Sequence, residues 1–396
     1  MTTTHPEPLA YPFNQEEGLA LSEAYAAARE ADGLIRVRLR YGEPAWLATR
    51  YADARLVLGD ARFSRALAGE HDAPRQTPVQ RTTGLTSMDP PDHTRLRTLV
   101  AKAFTVRRVE ELRPRVRDLA HKLAGDMVSA GQPADLVEDF ALPLPVAVIC
   151  ELLGVPVEDR PRFRVWSDAA LSTSSLTAEQ VWANIEELRD YMRGLIAAHR
   201  AAPADDLMTA LIEARDVRDR LTELELVDQC VGILVAGHET TASQIPNFVY
   251  TLLERPEHWA QLRDDPELIP PAVEELLRFV PLGAGSSFPR YAKEDIEVGG
   301  TLVRAGEPVL VAVGAANHDA YRFEAPGELK FDRGGTQHLG FGHGVHHCLG
   351  APLARLELQE ALRALLSTLP TLRVAGDIKW KTEMLVRGPR TMPVGW

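Results

Sequence analysis

The chain has 396 residues, 45% of them hydrophobic and 25% charged, an ordinary globular composition with enough apolar material for a large core. Disordered, collagenous and small disulfide-stapled classes are excluded. Lys plus Arg is 44 against 56 for Asp plus Glu, and the net charge of −12 argues against nucleic acid as the main partner.

Residues Met1 to Gly18 are polar and Pro-containing, without the basic and then apolar pattern of a secretory signal. Arg36 to Leu39 and Ala45 to Ala48 read as strands, and Val109 to Ala130 and Thr177 to Ala201 have helical apolar spacing. Between Met88 and Arg97, Pro90-Pro91 starts a helix that sets His93 and Arg97 four apart on one face. By themselves these two fit an exposed helix face. The densest apolar stretch, Ala141 to Val157, is broken by Pro143, Pro145, Glu151 and Gly154, so no bilayer-spanning helix is expected.

Thr222 and Glu225 form a capping-box signature, and apolar spacing then runs to about Glu254. Roughly thirty residues at 1.5 Å each give a helix of about 45 Å, long enough to cross a whole domain. Its middle, Ala236-Gly237-His238-Glu239-Thr240-Thr241, puts an acid and two hydroxyls where a core helix favours Leu and Ala. Further on, Glu275 and Arg278 stand three apart, a spacing that also suits a solvated helix. Strands return from Ile296 to Val313, and a helix follows Cys348. No linker, low-complexity run or repeat interrupts the chain, so a single domain over 1–396 is expected, mainly α with minor β-sheets.

Cys150, Cys230 and Cys348 are too few and too scattered for a disulfide framework and fit a reducing cytoplasm. Cys348 closes the loop Phe341-Gly342-His343-Gly344-Val345-His346-His347-Cys348-Leu349-Gly350 just before a helix N-terminus. The helix dipole and the amide donors there are expected to lower the thiol pKa and favour a metal-binding thiolate. A lone cysteine in other surroundings reads as a small core residue.

The loop resembles that of the cytochrome P450 family, Phe-x-x-Gly-x-His/Arg-x-Cys-x-Gly, and Phe341, Gly344, His346, Cys348 and Gly350 match every fixed position. The resemblance implies the P450 fold, a long central helix over the haem, Cys348 as axial thiolate of haem b, and Phe341 covering the sulfur beside Gly342. Ala236-Gly237-His238-Glu239-Thr240 is similar to the family's oxygen-binding helix motif. It implies room for dioxygen at Ala236 and proton delivery by Glu239 and Thr240. His93, Arg97, Arg290 and His346 become candidate partners of the haem propionates. Glu275 and Arg278 become a buried structural pair, with Glu328 aligned where the family usually has an Arg and Arg333 as a possible substitute.

The implied activity is insertion of one oxygen atom from O2, by hydroxylation or epoxidation, into a hydrophobic small molecule. The similarity is greatest to actinomycete enzymes that tailor macrolides and polyketides. Substrate contacts are expected from the loop Ala66 to Leu85, from Leu234, Val235 and Ala236, from the segment Pro281 to Ser287 with Gly283, and from Leu385. No reductase sequence precedes Trp396, so electrons are expected from a separate ferredoxin and its reductase, with Lys102, Arg107 and Arg108 as a docking patch. Neither nucleic acid nor membrane is expected as a partner. Alternatives are a peroxide-driven or non-oxygenating haem-thiolate enzyme, and a non-catalytic haem or zinc protein. His238-Glu239-Thr240-Thr241-Ala242 lacks the second His of a zinc-protease helix, and Gly283-Ala284-Gly285-Ser286-Ser287-Phe288 lacks the third Gly of a dinucleotide loop.

Overall fold

The computed structural model describes residues 7–217, 220–285, 288–334 and 337–396. Its α-helices in chain order are α1 Ala24–Glu30, α2 Tyr51–Gly59, α3 Asp92–Ala101, α4 Val106–Ala130, α5 Pro143–Leu152, α6 Arg160–Leu171 and α7 Ala178–Ala201. They continue with α8 Leu207–Asp216, α9 Glu223–Leu253, α10 Pro256–Asp264, α11 Ile269–Phe279, α12 Val313–Ala316 and α13 Ala351–Thr368.

The strands are β1 Leu9–Ala10, β2 Ile35–Arg38, β3 Ala45–Ala48, β4 Phe63–Ser64, β5 Ala134–Asp135, β6 Arg290–Ala292, β7 Ile296–Val298, β8 Thr301–Val303 and β9 Pro308–Val311. After them come β10 Arg373–Val374, β11 Lys379–Trp380, β12 Pro389–Thr391 and β13 Pro393–Gly395. The largest sheet has the order β1-β2-β3-β9-β6-β4, and its β6–β9 register sets Arg290 opposite Val309. Smaller sheets join β10-β13-β5, β11-β12 and β7-β8.

The long helix is α9. The Thr222 hydroxyl accepts from the Glu225 amide at 3.2 Å, and the Glu225 carboxylate accepts from the Thr222 amide at 2.7 Å, which closes the capping box. Every residue from Thr241 to Val249 is buried, so this half has no solvated face, and α5, α7 and α13 pack around the helix. The polar residues it carries there are bonded internally: Asn247 Nδ2 donates to Gln244 Oε1 at 2.9 Å and to the Arg387 carbonyl at 3.1 Å. Gly237 permits the close approach of α5, because a Cβ at that position would lie 2.6 Å from Ile149 Cδ1. Among the described residues no helix is long and apolar enough to cross a membrane.

Candidate active site

The segment before α13 folds back on itself. Leu339 N donates to Asn317 Oδ1 at 2.7 Å, and Cys348 N donates to the Phe341 carbonyl at 2.8 Å. The turn uses positive φ at Gly342 (74°) and Gly344 (72°), and a Cβ on Gly344 would lie 2.5 Å from the Leu58 carbonyl, so only glycine lets the loop seat on α2. Gly350 ends the loop as the N-cap of α13. The Arg355 guanidinium covers the Phe341 ring at 4.6 Å and pairs with Glu274 at 2.6 Å. Burial alone would raise the Glu274 pKa, but the bonds from His338 and Arg355 bring it down to about 2.

Cys348 is exposed, whereas Cys150 and Cys230 are buried. Its thiol pKa departs from the expectation. Burial of the surroundings pushes it up, and the amides of Gly350 and Ala351, with the charges of Arg97 and Arg355, only partly oppose this. A group that is reachable yet desolvated lines an internal cavity, and there a metal ion supplies the charge that ionises a coordinating thiol.

A cluster of cationic and imidazole groups accompanies the sulfur. Arg97 Nη2 donates to the His347 carbonyl at 2.6 Å, and the rings of His93 and His346 lie 4.3 Å apart. His93 is 1% exposed with neither ring nitrogen bonded, Arg290 is 4% exposed with Nη1 unpartnered, and Arg65 is also buried. Burial first and mutual repulsion second lower His346 to about 2, whereas burial, slightly offset by Asp89, lowers Arg290 to about 10. Asp89 is the acid that Arg65, His93 and Arg290 feel, and it is already engaged by the Arg65 amide at 2.8 Å. Buried donors without acceptors are costly unless a ligand supplies the acceptors, so this cradle fits a group bearing carboxylates, as haem does. Arg65 was not among the residues the sequence marked for the cradle, since nothing in Arg62-Phe63-Ser64-Arg65 distinguishes it from a surface arginine.

On α9, Gly232 and Ala236 are exposed and Thr240 is half-buried, a row with a spacing of four. Thr240 Oγ1 donates to the Ala236 carbonyl at 2.9 Å. Glu239 is 2% exposed and pairs with Lys381, itself 7% exposed, whose Nζ also donates to Ser243 Oγ at 2.8 Å. Burial would raise the Glu239 pKa, but Lys381 and then His238 outweigh it and the net shift is down. Lys381 had no signal in the sequence.

Two expected substrate contacts are corrected. Leu234 is 1% exposed and Val235 8%, and both side chains belong to the main apolar core. Residue 234 lies about 200° around the helix from 236, which turns it away from the Ala236 face. Gly283 is exposed and Leu385 half-buried, where the ladder contacts Gly283↔Val386 and Ser172↔Met384 join the segment 383–387 to its neighbours. Ser286 and Ser287 lie outside the described residues.

Glu275 and Arg278 are buried and doubly bonded, at 2.7 and 2.8 Å. Arg333 Nε reaches Glu275 Oε1 at 3.0 Å, and Glu328 contributes its backbone carbonyl, not its side chain, to Arg278 and Arg333. Among the described residues no group of three or more His, Cys, Asp and Glu converges on a metal position, which leaves the zinc alternative without a ligand set.

The family model for Cytochrome P450 matches residues 171–384. Mycinamicin IV hydroxylase/epoxidase of Micromonospora griseorubida is 55% identical over 396 residues, covering 99% of this chain and 100% of its own. Nocardicin C N-oxygenase of Nocardia uniformis subsp. tsuyamanensis is 50% identical over 398 residues, covering 99% and 100%. Among solved structures, HinD with NMFT and NO matches with a TM-score of 0.96 at 49% identity, covering 99% of this chain and 100% of that one. The mixed-function P450 MycG matches at 0.91 and 55%, covering 98% and 100%. The chain belongs to the cytochrome P450 family. It is a P450 monooxygenase, a haem-thiolate enzyme that takes a small-molecule substrate, O2 and electrons from redox partners.

Proposed function

We propose that this enzyme binds haem b through Cys348 and oxygenates a hydrophobic secondary metabolite of the macrolide or polyketide type. The macrolide reading rests on the name of one relative, Mycinamicin IV hydroxylase/epoxidase, and the broader reading of a secondary metabolite on that relative together with Nocardicin C N-oxygenase. The observation that carries the site assignment is the buried cradle of unpartnered donors beside an exposed cysteine. His93, Arg97, Arg290 and His346, joined by Arg65, hold the propionates, Gly342 and Gly350 shape the loop, and Phe341 shields the sulfur.

When bound, haem supplies reductive activation of dioxygen. The balance is one substrate C–H, one O2, two electrons and two protons in, and one alcohol and one water out; epoxidation spends the same oxidant on an alkene. The chain's task is to deliver those protons. Ala236 leaves room on the exposed face of α9. Thr240 Oγ1 donates its own hydrogen to the Ala236 carbonyl and keeps its lone pairs to accept a hydrogen bond, which holds in place a water that carries the proton. Glu239 is held as a carboxylate by Lys381, so it takes up a proton from solvent and releases that contact before it can donate. Glu275, Arg278 and Arg333 are structural and keep α11 against the segment that leads to the cysteine loop.

Electrons come from a ferredoxin and its reductase in the cytoplasm, with docking on the exposed side chains of Lys102, Arg107 and Arg108. The test is Cys348→Ser. The wild-type protein, reduced and exposed to carbon monoxide, is expected to give the thiolate-type absorbance band, and the variant to lose it while keeping its fold by circular dichroism. A variant that retained the band would overturn the ligand assignment.

A further inference from the structure

Glu239 has to take up protons, yet it is 2% exposed and its counter-ion Lys381 is 7% exposed, so neither meets bulk solvent. The elements around them form a path to the outside. Lys381 follows β11, and its amide donates to the Gly388 carbonyl, just ahead of β12, at 2.8 Å. The register of this strand pair then shifts by one residue. Lys379 faces Thr391 and Trp380 faces Pro389, so Arg390 stands in a bulge with no residue opposite, the kind of irregularity that re-aims a side chain. Its Nη1 donates to Asp168 Oδ2, on α6, at 2.8 Å. One two-stranded ribbon therefore carries the inner pair Lys381–Glu239 and an outer pair Arg390–Asp168, whose side chains are both 31% exposed.

Asp168 spans the wall between outside and inside: Oδ2 meets Arg390, whereas Oδ1 is buried without a partner. On α9, which packs against both α6 and β12, His238 is fully buried. Its Nδ1 lies 2.8 Å from the Leu234 carbonyl, an oxygen that only accepts, so Nδ1 carries the hydrogen of the neutral ring. Nε2 is then an acceptor, and it too is buried and unpartnered. The bonds of Glu239 to Lys381 and Ser243 both fall on Oε1, and among the described residues none reaches Oε2. Asp168 acts electrostatically on His238, and Arg390 on Glu239, so these groups share one polar interior. Three acceptors cannot satisfy one another, and the small molecule that brings two donors as well as lone pairs is water. Arg164 with Glu138, Arg390 with Asp168 and Lys381 with Glu239 balance in charge, so no net field repels an incoming proton.

We propose that Asp168, gated by Arg390, is the residue through which protons enter this enzyme, and that His238 Nε2 holds the water that passes them from Asp168 Oδ1 to Glu239 Oε2. The inference rests on the monooxygenase reading and supplies the route its proton demand requires. A proton from solvent binds Asp168 when Arg390 swings away, and rotation of the carboxyl group carries it inward. The water, donating to Nε2 and Oε2, accepts that proton from Oδ1 and gives one of its own to Glu239. One proton has then moved inward, and Asp168 and the water are as they began. His238 is a positioning residue, since it accepts a hydrogen bond and is itself unchanged.

Two measurements test it. A high-resolution crystal structure of the wild-type holoprotein is expected to show an ordered water about 3 Å from His238 Nε2 and linked to Asp168; a dry site, or Nε2 bonded to protein, overturns the proposal. The second is NADPH-driven consumption of dioxygen with excess ferredoxin and its reductase, which needs no identified substrate because reduction to peroxide or water uses the same protons. Asp168→Asn and His238→Leu are each expected to slow it at least about tenfold and to raise the ratio of its rates in H2O and D2O. His238→Gln, whose amide oxygen accepts in place of Nε2, is expected to return within about twofold of wild type. Unchanged rates and isotope ratios in Asp168→Asn, or a His238→Gln as slow as His238→Leu, overturn the proposal. Asp168 lies at the surface, so its variant decides by itself if His238→Leu does not fold. The carbon monoxide band of each holoprotein is recorded first. Its absence refutes the monooxygenase reading, whereas the water on His238 is read independently of it.

Discussion

Replacing Lys381 by Met strips the buried Glu239 carboxylate of its cation without opening a large gap. Glu239 is 2% exposed, and burial is the largest influence on it, opposed chiefly by Lys381. Without the lysine its pKa rises, and the variant folds with Glu239 protonated. At pH 7 this costs the work of protonating an acid whose ordinary value is 4.5, about 3.4 kcal/mol at about 1.4 kcal/mol per pH unit. Breaking one side of a buried ion pair typically costs about 3–5 kcal/mol, a separate route to the same size.

For 396 residues the unfolding entropy is about 0.8 kcal/mol per kelvin, so Tm falls by about 4 °C. The sign with pH is definite. In the wild type the folded pKa is depressed, and the resulting stability is present above the unfolded value and lost as pH falls through the folded one. In the variant the folded pKa is raised, so the deficit is largest at neutral pH and shrinks as pH falls toward 4.5. Scanning calorimetry of both proteins between pH 5 and 8 measures it, and the double variant Lys381→Met/Glu239→Gln, which buries no charge, should recover most of the loss. A deficit independent of pH, or one that grows on acidification, would refute the coupling.

Thr240→Ala is expected to bind substrate normally but to divert reducing equivalents into hydrogen peroxide; the ratio of product formed to NADPH consumed should fall several-fold, and unchanged coupling would remove Thr240 from proton delivery. Arg65→Leu removes one donor from the cradle and should raise haem loss to excess apomyoglobin by about tenfold, the equivalent of one charge-assisted hydrogen bond; an unchanged rate would place Arg65 outside it. Reversing Lys102, Arg107 and Arg108 to Glu should slow ferredoxin-dependent reduction and flatten its salt dependence, whereas dithionite reduction stays the same.

What the sequence revealed follows from how local each feature is. The cysteine loop occupies ten consecutive residues, and its glycines are required by positive φ and by the contact with the Leu58 carbonyl, so chemistry and backbone geometry are written together. The capping box at Thr222 is equally local, and α9 begins where it says. Long-range partners are not legible in this way. Lys381 is 142 residues from Glu239, and the residues beside it do not mark it as the counter-ion. Arg333, 58 residues from Glu275, is one of two positions the sequence offers, and a turn brings its side chain, and only the backbone of Glu328, to the pair.

The two remaining departures have opposite lessons. Leu234 and Val235 are adjacent to Ala236 in sequence, yet the 100° step between helical residues turns them toward the core, which spacing alone makes legible. The raised thiol pKa of Cys348 is not legible in the sequence, because the helix N-terminus that lowers it is a neighbour in sequence and the protein mass that raises it comes from everywhere else. The same asymmetry governs His93 and Arg97. Their spacing of four fits a wet helix surface as well as a ligand cradle, and only the buried, unbonded nitrogens of His93 separate the two. A solvated histidine pays nothing for such nitrogens, whereas a buried one costs about 1–3 kcal/mol for each group left unmade, an expense that a folded chain sustains where a ligand recovers it.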